Sequence, residues 1–194
     1  VSNIILTFFI CLLLFKGEGG LAQIDDVNHW ETVVYSNDVW KYFVGSSEPD
    51  VNWRNLSFDD SSWLDGKGGI GYGDDDDSTI IAPTISLYQR KTFSLIDTSL
   101  IKALILHIDY DDAFVAYLNN QEIARSNIGQ VGDYPAFDQS ALTYMEALMH
   151  QGGNPQEFLL DKDVFAGLLA EGENVLAIQV HNYGIGSSDL SSIP

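Results

Sequence analysis

Two groups of carboxylates fall where loops are expected. One is the run Asp74–Asp77, directly after the glycine-rich stretch Gly66–Gly73; the other is the pair Asp111-Asp112, set between two apolar runs. Carboxylate oxygens in such places suit two kinds of chemistry, coordination of a hard cation such as calcium and hydrogen bonding to the hydroxyls of a sugar. The aspartate run does not follow the EF-hand pattern. Counted from Asp74, Thr79 and Ile85 stand at the sixth and twelfth places, where that loop needs Gly and Glu. A calcium site of another kind, built from two loops, would draw on Asp74 and Asp76, with Asp111 or Asp112 from the second group. The plainer reading of the run is a solvated acidic loop. For the pair it is that the side chains bond loop amides and fix a corner.

Other residue types add candidates and remove some. His29, His107, His150 and His181 show no metal-ligand spacing. His181 ends a strand-like run beside Asn182, which makes this dipeptide the better candidate for lining a site. Trp30, Trp40, Trp53, Trp63 and Tyr72 offer aromatic faces of the kind that stack on pyranose rings. Trp40 and Trp63 are expected in the core, and Tyr72, in the glycine-rich stretch, is expected to be exposed. Gly66–Gly71 matches G-x-G-x-x-G in form. A dinucleotide site needs a strand before that motif and a helix after it, whereas here acidic turn residues follow. There is no G-x-S-x-G, and Cys11 is the only cysteine, so nucleophilic triads have no outline. Counting does not exclude a carboxylate pair for glycoside hydrolysis, because aspartates are abundant.

The elements that must position these residues read as strands. Leu104, Leu106, Ile108 and Tyr110 alternate with Ile105, His107 and Asp109, and Phe114, Ala116 and Leu118 alternate with Val115 and Tyr117. That is the period of two of a β-strand. Both faces of both runs are apolar, which predicts central strands in a sheet covered on each side. Asn119-Asn120 is a tight-turn dipeptide leading to a short return strand over 121–124. Further strands are expected at 30–35, 40–44, 87–95, 157–160 and 175–181. Residues 164–170 read as a helical turn, and 141–150 as a short helix or an irregular excursion. The expected fold is all-β, an antiparallel β-sandwich.

Composition bounds the rest. The chain has 194 residues, 45% of them apolar and 12% aromatic, enough for one sizeable core. The formal charge of −19 repels phosphate backbones and argues against nucleic acid as a partner. Ile4–Phe15 is an apolar run too short to span a bilayer, and Gly20-Leu21-Ala22 supplies small residues before Gln23. Residues 1–22 are therefore read as a signal peptide, with a short membrane anchor as the alternative. Residues 23–194 are then an exported domain, free of cysteine and not inserted in a membrane, forming the N-terminal part of a longer protein.

Three ordered segments carry a family resemblance. Phe58–Trp63 is followed by Gly69–Asp74. Arg90–Phe93 is followed by Tyr110-Asp111-Asp112 and Tyr117-Leu118-Asn119. Gly172–Ala177 is followed by Val180-His181-Asn182. Together they resemble the galactose-binding-like jelly-roll modules of exported bacterial proteins, which often precede CotH-type kinase domains or accompany hydrolases. More distantly the chain is similar to the sugar-binding jelly roll at the front of family 2 glycoside hydrolases. Two positions depart from the pattern: Asn120 stands in place of a usual Gly, and Ala113 in place of another. The resemblance implies a non-catalytic, carbohydrate-binding-like accessory module. Its site would be drawn from Tyr72, Asp74, Arg90, Asp111, Asp112, His181 and Asn182, with Arg90 as a charged donor. A structural or protein-interaction spacer that orients a downstream catalytic domain is the alternative.

Overall fold

The computed structural model describes residues 29–194 and the strand Ile5–Thr7. The expected signal peptide otherwise lies outside the described residues. The strands in chain order are β1 (Ile5–Thr7), β2 (Trp30–Glu31), β3 (Val39–Val44), β4 (Leu64–Lys67), β5 (Ile70–Tyr72), β6 (Thr79–Ile80), β7 (Ser86–Leu95), β8 (Ala103–Tyr110), β9 (Ala113–Leu118), β10 (Gln121–Ser126), β11 (Gln156–Asp161), β12 (Gly172–His181) and β13 (Leu190–Ile193). One helical turn, α1 (Lys162–Phe165), and a 3-10 turn at Met149–Gln151 complete the set.

The strands form two sheets. One runs β10-β9-β12-β7-β3-β4 and is antiparallel throughout. The other runs β2-β1-β8-β13-β5-β6, with β11 also pairing β8, and is mixed: β1 joins β2 and β8 in parallel, and β5 joins β6 in parallel. Between the sheets lies the main core. Leu104, Leu106 and Ile108 from β8 and Ile70 from β5 meet Leu87, Phe114, Leu176 and Ile178 from the other sheet. The chain is thus a β-sandwich. Every residue of β8 and β9 is buried, as the two-faced apolar runs predict. The sheet containing β9 is covered on its outer side by the loops at 45–63 and 127–141. These carry Trp53, Trp63, Ile128 and Ala141 onto Tyr88, Val115, Tyr117 and Ala177. Segment 141–150 is the irregular excursion, ending in the 3-10 turn.

The glycine-rich stretch is sheet rather than turn, because it forms β4 and β5. Gly71 pairs with Ser191 of β13, and a Cβ there would lie 1.9 Å from the Leu190 carbonyl oxygen. Only glycine allows that approach. Residues 30–35 keep just two strand residues, Trp30 and Glu31.

Asn119 and Asn120 turn the chain between β9 and β10 with φ of 49° and 74°, the positive values a two-residue hairpin needs. They do different work. Asn119 donates from Nδ2 to the Leu168 carbonyl (2.7 Å) and to Asn174 Oδ1 (2.8 Å), and accepts from the Val175 amide (2.9 Å). Asn120 makes one long contact, accepting from Arg54 Nε at 3.3 Å. Asn119→Gly is therefore expected to cost about 2 kcal/mol and Asn120→Gly less than about 1 kcal/mol, measured by chemical denaturation. Equal costs would contradict this division of roles.

Candidate functional site

Four loops meet at one end of the sandwich: Gly73–Ser78 after β5, the Asp111-Asp112 corner between β8 and β9, the 141–151 segment, and Asn182–Asp189 between β12 and β13. Asp112 joins three of them. It is fully buried, and its carboxylate accepts from the Met145 amide and the Tyr183 amide, each at 2.6 Å. Asn182 joins β5 to the β12–β13 loop by donating to the Tyr72 hydroxyl and to the Asp189 carbonyl, both at 2.9 Å. Gly73, at φ 97°, brings the acidic loop against Asp189; a Cβ there would lie 2.5 Å from the Asp189 Cβ. Asp109 adds a cap, accepting from the Leu148 amide at 2.8 Å and the Met149 amide at 2.7 Å.

This arrangement concentrates carboxylates. Oxygens of Asp111, Glu146 and Asp189 lie within 4.8 Å of one another, and ligand atoms of Asp74, Glu146 and His150 do the same. Glu146 belongs to both groups. Burial, then the carboxylates of Asp112 and Asp189, push Asp111 far above the usual carboxylate range. Burial also raises Glu146, with Asp189 and Asp74 adding to the effect. Asp77 is pushed up to about 7 by burial and by Asp76. Of these residues, the trio Asp111, Glu146 and Asp189 and the trio Asp74, Glu146 and His150 are spaced to share a cation.

Five of the seven expected site residues, Tyr72, Asp74, Asp111, Asp112 and Asn182, gather at this end. Their roles differ from those expected. Tyr72 is buried in β5, not exposed in a loop, because its ring belongs to the core and its hydroxyl meets Asn182. Asp76 accepts from the Ser191 hydroxyl at 3.2 Å and joins neither carboxylate group. Asp112 is spent on backbone amides. Glu146, His150 and Asp189 were not singled out from the sequence.

Arg90 and His181 lie elsewhere, on the outer face of the antiparallel sheet. Arg90 is 2% exposed. Its Nε donates to Asp60 Oδ2 (2.9 Å), its Nη1 donates to the carbonyls of Trp53 and Asn55, and its guanidinium lies 5.0 Å from the Phe58 ring centre. It anchors the 53–60 loop and is not the ligand donor expected. His181 is fully buried, with Nδ1 2.8 Å from the Gln139 carbonyl oxygen and its ring packed edge-on to Tyr88. Burial lowers its pKa to about 4. It does not line an open site.

That outer face carries a second concavity, a pocket of about 360 Å³. Its wall includes Glu48, Trp53, Arg54, Tyr88, Tyr134 and Gln179. Tyr88 and Gln179 are cross-strand neighbours on β7 and β12, so their side chains share one face. The Tyr88 hydroxyl and Gln179 Nε2 are buried and have no hydrogen-bond partner among the described residues. Arg54 lies over the Tyr134 ring at 4.1 Å and the Tyr117 ring at 5.1 Å, and the two tyrosine rings stack at 6.4 Å. Sequence reading passed over this pocket. Tyr88 and Gln179 alternate like any core strand residues, and only the loops folded over them make a cavity.

No protein-family model matches the chain, and no curated protein matches it. Among solved structures it is similar to a Bacteroides uniformis beta-glucuronidase (17% identity, TM-score 0.46, covering 81% of this chain and 17% of that one). It is also similar to an uncultured Clostridium sp. beta-glucuronidase (17% identity, TM-score 0.42, covering 75% and 21%) and to a glycosyl hydrolase family 2 member from Bacteroides cellulosilyticus (15% identity, TM-score 0.42, covering 77% and 18%). The chain spans about a fifth or less of the length of these proteins.

Proposed function

We propose that the chain is a non-catalytic carbohydrate-binding accessory module of an exported multidomain protein, and that the sugar docks in the outer-face pocket. The observation that carries this reading is the pairing of unsatisfied buried polar atoms with aromatic walls. The Tyr88 hydroxyl and Gln179 Nε2 lack partners, and Trp53 and Tyr134 stand beside them. A sugar offers what such a wall lacks, hydroxyls for the polar atoms and C–H faces for the rings. Among the described residues Glu48 is the single carboxylate lining the pocket, whereas glycoside hydrolysis ordinarily uses two. That favours binding over cleavage.

Affinity electrophoresis against a panel of soluble polysaccharides tests the reading. Retardation by at least one glycan is expected. Tyr134→Ala, at a residue 64% exposed, should weaken that binding about tenfold or more without loss of fold. Retardation unchanged in the variant would remove the pocket from the reading.

A second reading, a spacer that docks on a neighbouring domain, is favoured by a different observation. Tyr144, Tyr183 and Ile185 are 58%, 54% and 64% exposed, on two loops that Asp112 ties together. It predicts no retardation by any glycan, and loss of contact with the adjoining domain when these three are replaced by serine.

A further inference from the structure

We propose that Asp111, Glu146 and Asp189 form the core of a calcium site that staples three loops at one end of the sandwich. The proposal does not depend on sugar binding, since the outer-face pocket is lined by other residues.

A group of carboxylates is not by itself a cation site, and Asp111 is what sets this one apart. It is 1% exposed, and neither of its carboxyl oxygens has a hydrogen-bond partner among the described residues. Its neighbour Asp112, equally buried, has both oxygens occupied by backbone amides. A buried carboxylate left without donors is costly, and its oxygens lie among those of Glu146 and Asp189, all within 4.8 Å. Two oxygens bound to one calcium at about 2.4 Å are at most about 4.8 Å apart, a limit that every pair in the trio meets. None of the ion pairs among the described residues involves Asp111, Glu146 or Asp189. Among the described residues, then, no lysine or arginine is paired with the group.

The donor set selects the metal. Three carboxylates and no sulfur suit a hard cation with several oxygen ligands, and loops adapt to calcium more readily than to the strict octahedron of magnesium. Asp189 is held in place by hydrogen bonds from the hydroxyls of Ser187 (3.2 Å) and Ser188 (3.1 Å), which support a ligand from behind. The ligands come from the β8–β9 corner, the 141–151 segment and the β12–β13 loop, so one ion would join segments far apart in sequence. The competing account is a proton shared within the group, which neutralises Asp111 without any metal.

Calorimetric titration of the chelator-stripped full chain with calcium chloride, alongside thermal melting, decides between them. One calcium per chain is expected, with the melting temperature raised by about 5–10 °C at calcium a hundredfold above its Kd. Asp111→Asn should abolish both effects. Glu146→Gln, at a half-buried loop position, should weaken binding at least tenfold and serves if the first variant does not fold. Asp75→Asn, exposed in the acidic loop and outside the trio, should bind like wild type. No heat and no shift in the wild type would leave the shared proton as the account and overturn the site. So would binding undiminished in both trio variants, an equal loss in Asp75→Asn, or a response to zinc with none to calcium.

Discussion

Arg90→Met is expected to destabilise the protein by about 3–5 kcal/mol, read as a lower denaturant midpoint at unchanged slope. Methionine fills much of the same space, so the effect isolates hydrogen bonding and charge. The guanidinium side chain is 1% exposed against 24% for Asp60, its ionic partner at 2.9 Å. Removing it strands that carboxylate, leaves the Trp53 carbonyl without its donor, and leaves the Asn55 carbonyl with the Phe58 amide alone. Breaking a buried pair from one side costs far more than its net worth, because the remaining charge stays desolvated. The double variant Arg90→Met/Asp60→Leu should recover part of the loss. A cost below about 1 kcal/mol for Arg90→Met would mean that the 53–60 loop is held by its aromatic contacts instead. The same variant should reduce glycan binding, since Trp53 and Arg54 sit on this loop and line the pocket.

The second large effect is in acid. His181 is buried and neutral, with a folded pKa of about 4 against an ordinary value of 6.5. Between those values the unfolded chain holds a proton that the folded chain does not. The stabilisation from burying neutral His181 is therefore complete above pH 6.5 and lost as pH falls to about 4. The loss amounts to about 3 kcal/mol. Asp77 works in the opposite sense. Its folded pKa of about 7 lies above the ordinary 3.8, so its contribution is present below 3.8 and lost as pH rises through 7. The two partly cancel in a wild-type profile, and the histidine must be isolated by difference. Denaturation of wild type and His181→Gln at pH 7 and pH 4 should show the wild-type advantage shrinking by about 3 kcal/mol in acid. A constant difference would show that His181 titrates in the folded state as it does in the unfolded one.

Much of the sandwich can be read from side-chain alternation. β8, β9 and β12 are legible because burial on both faces writes an apolar residue at nearly every position, and Asn119-Asn120 is legible because positive φ restricts residue choice. β4 and β5 are not, because glycine carries no strand signal. What makes Gly71 a strand residue is the nearness of β13, set by a pairing that no local pattern announces. The candidate sites divide in the same way. The Asp111-Asp112 corner and Asn182 lie at strand ends and can be placed together from topology. Glu146 sits in a segment without periodicity, and its approach to Asp111 is fixed by Asp112 reaching the Met145 amide. Arg90 and His181 look like ligands in sequence, since polar residues in apolar strands invite that reading; loops packed over the outer face turn them into structural groups.

The order of strands in the mixed sheet has a consequence for biosynthesis. β13 comes after both β5 and β8 in the chain, yet it sits between them. On the ribosome, β8 can take up β11 as soon as both have emerged, but β5 and β6 cannot join that sheet until residue 193 has cleared the exit tunnel. Until then the nascent chain presents open strand edges to whatever is nearby. The antiparallel sheet has no such dependence, because it is complete once β12 is made. A pulse-labelled nascent chain stalled after β12 but before β13 should therefore protect one sheet from proteolysis while the other remains open to a protease or a chaperone.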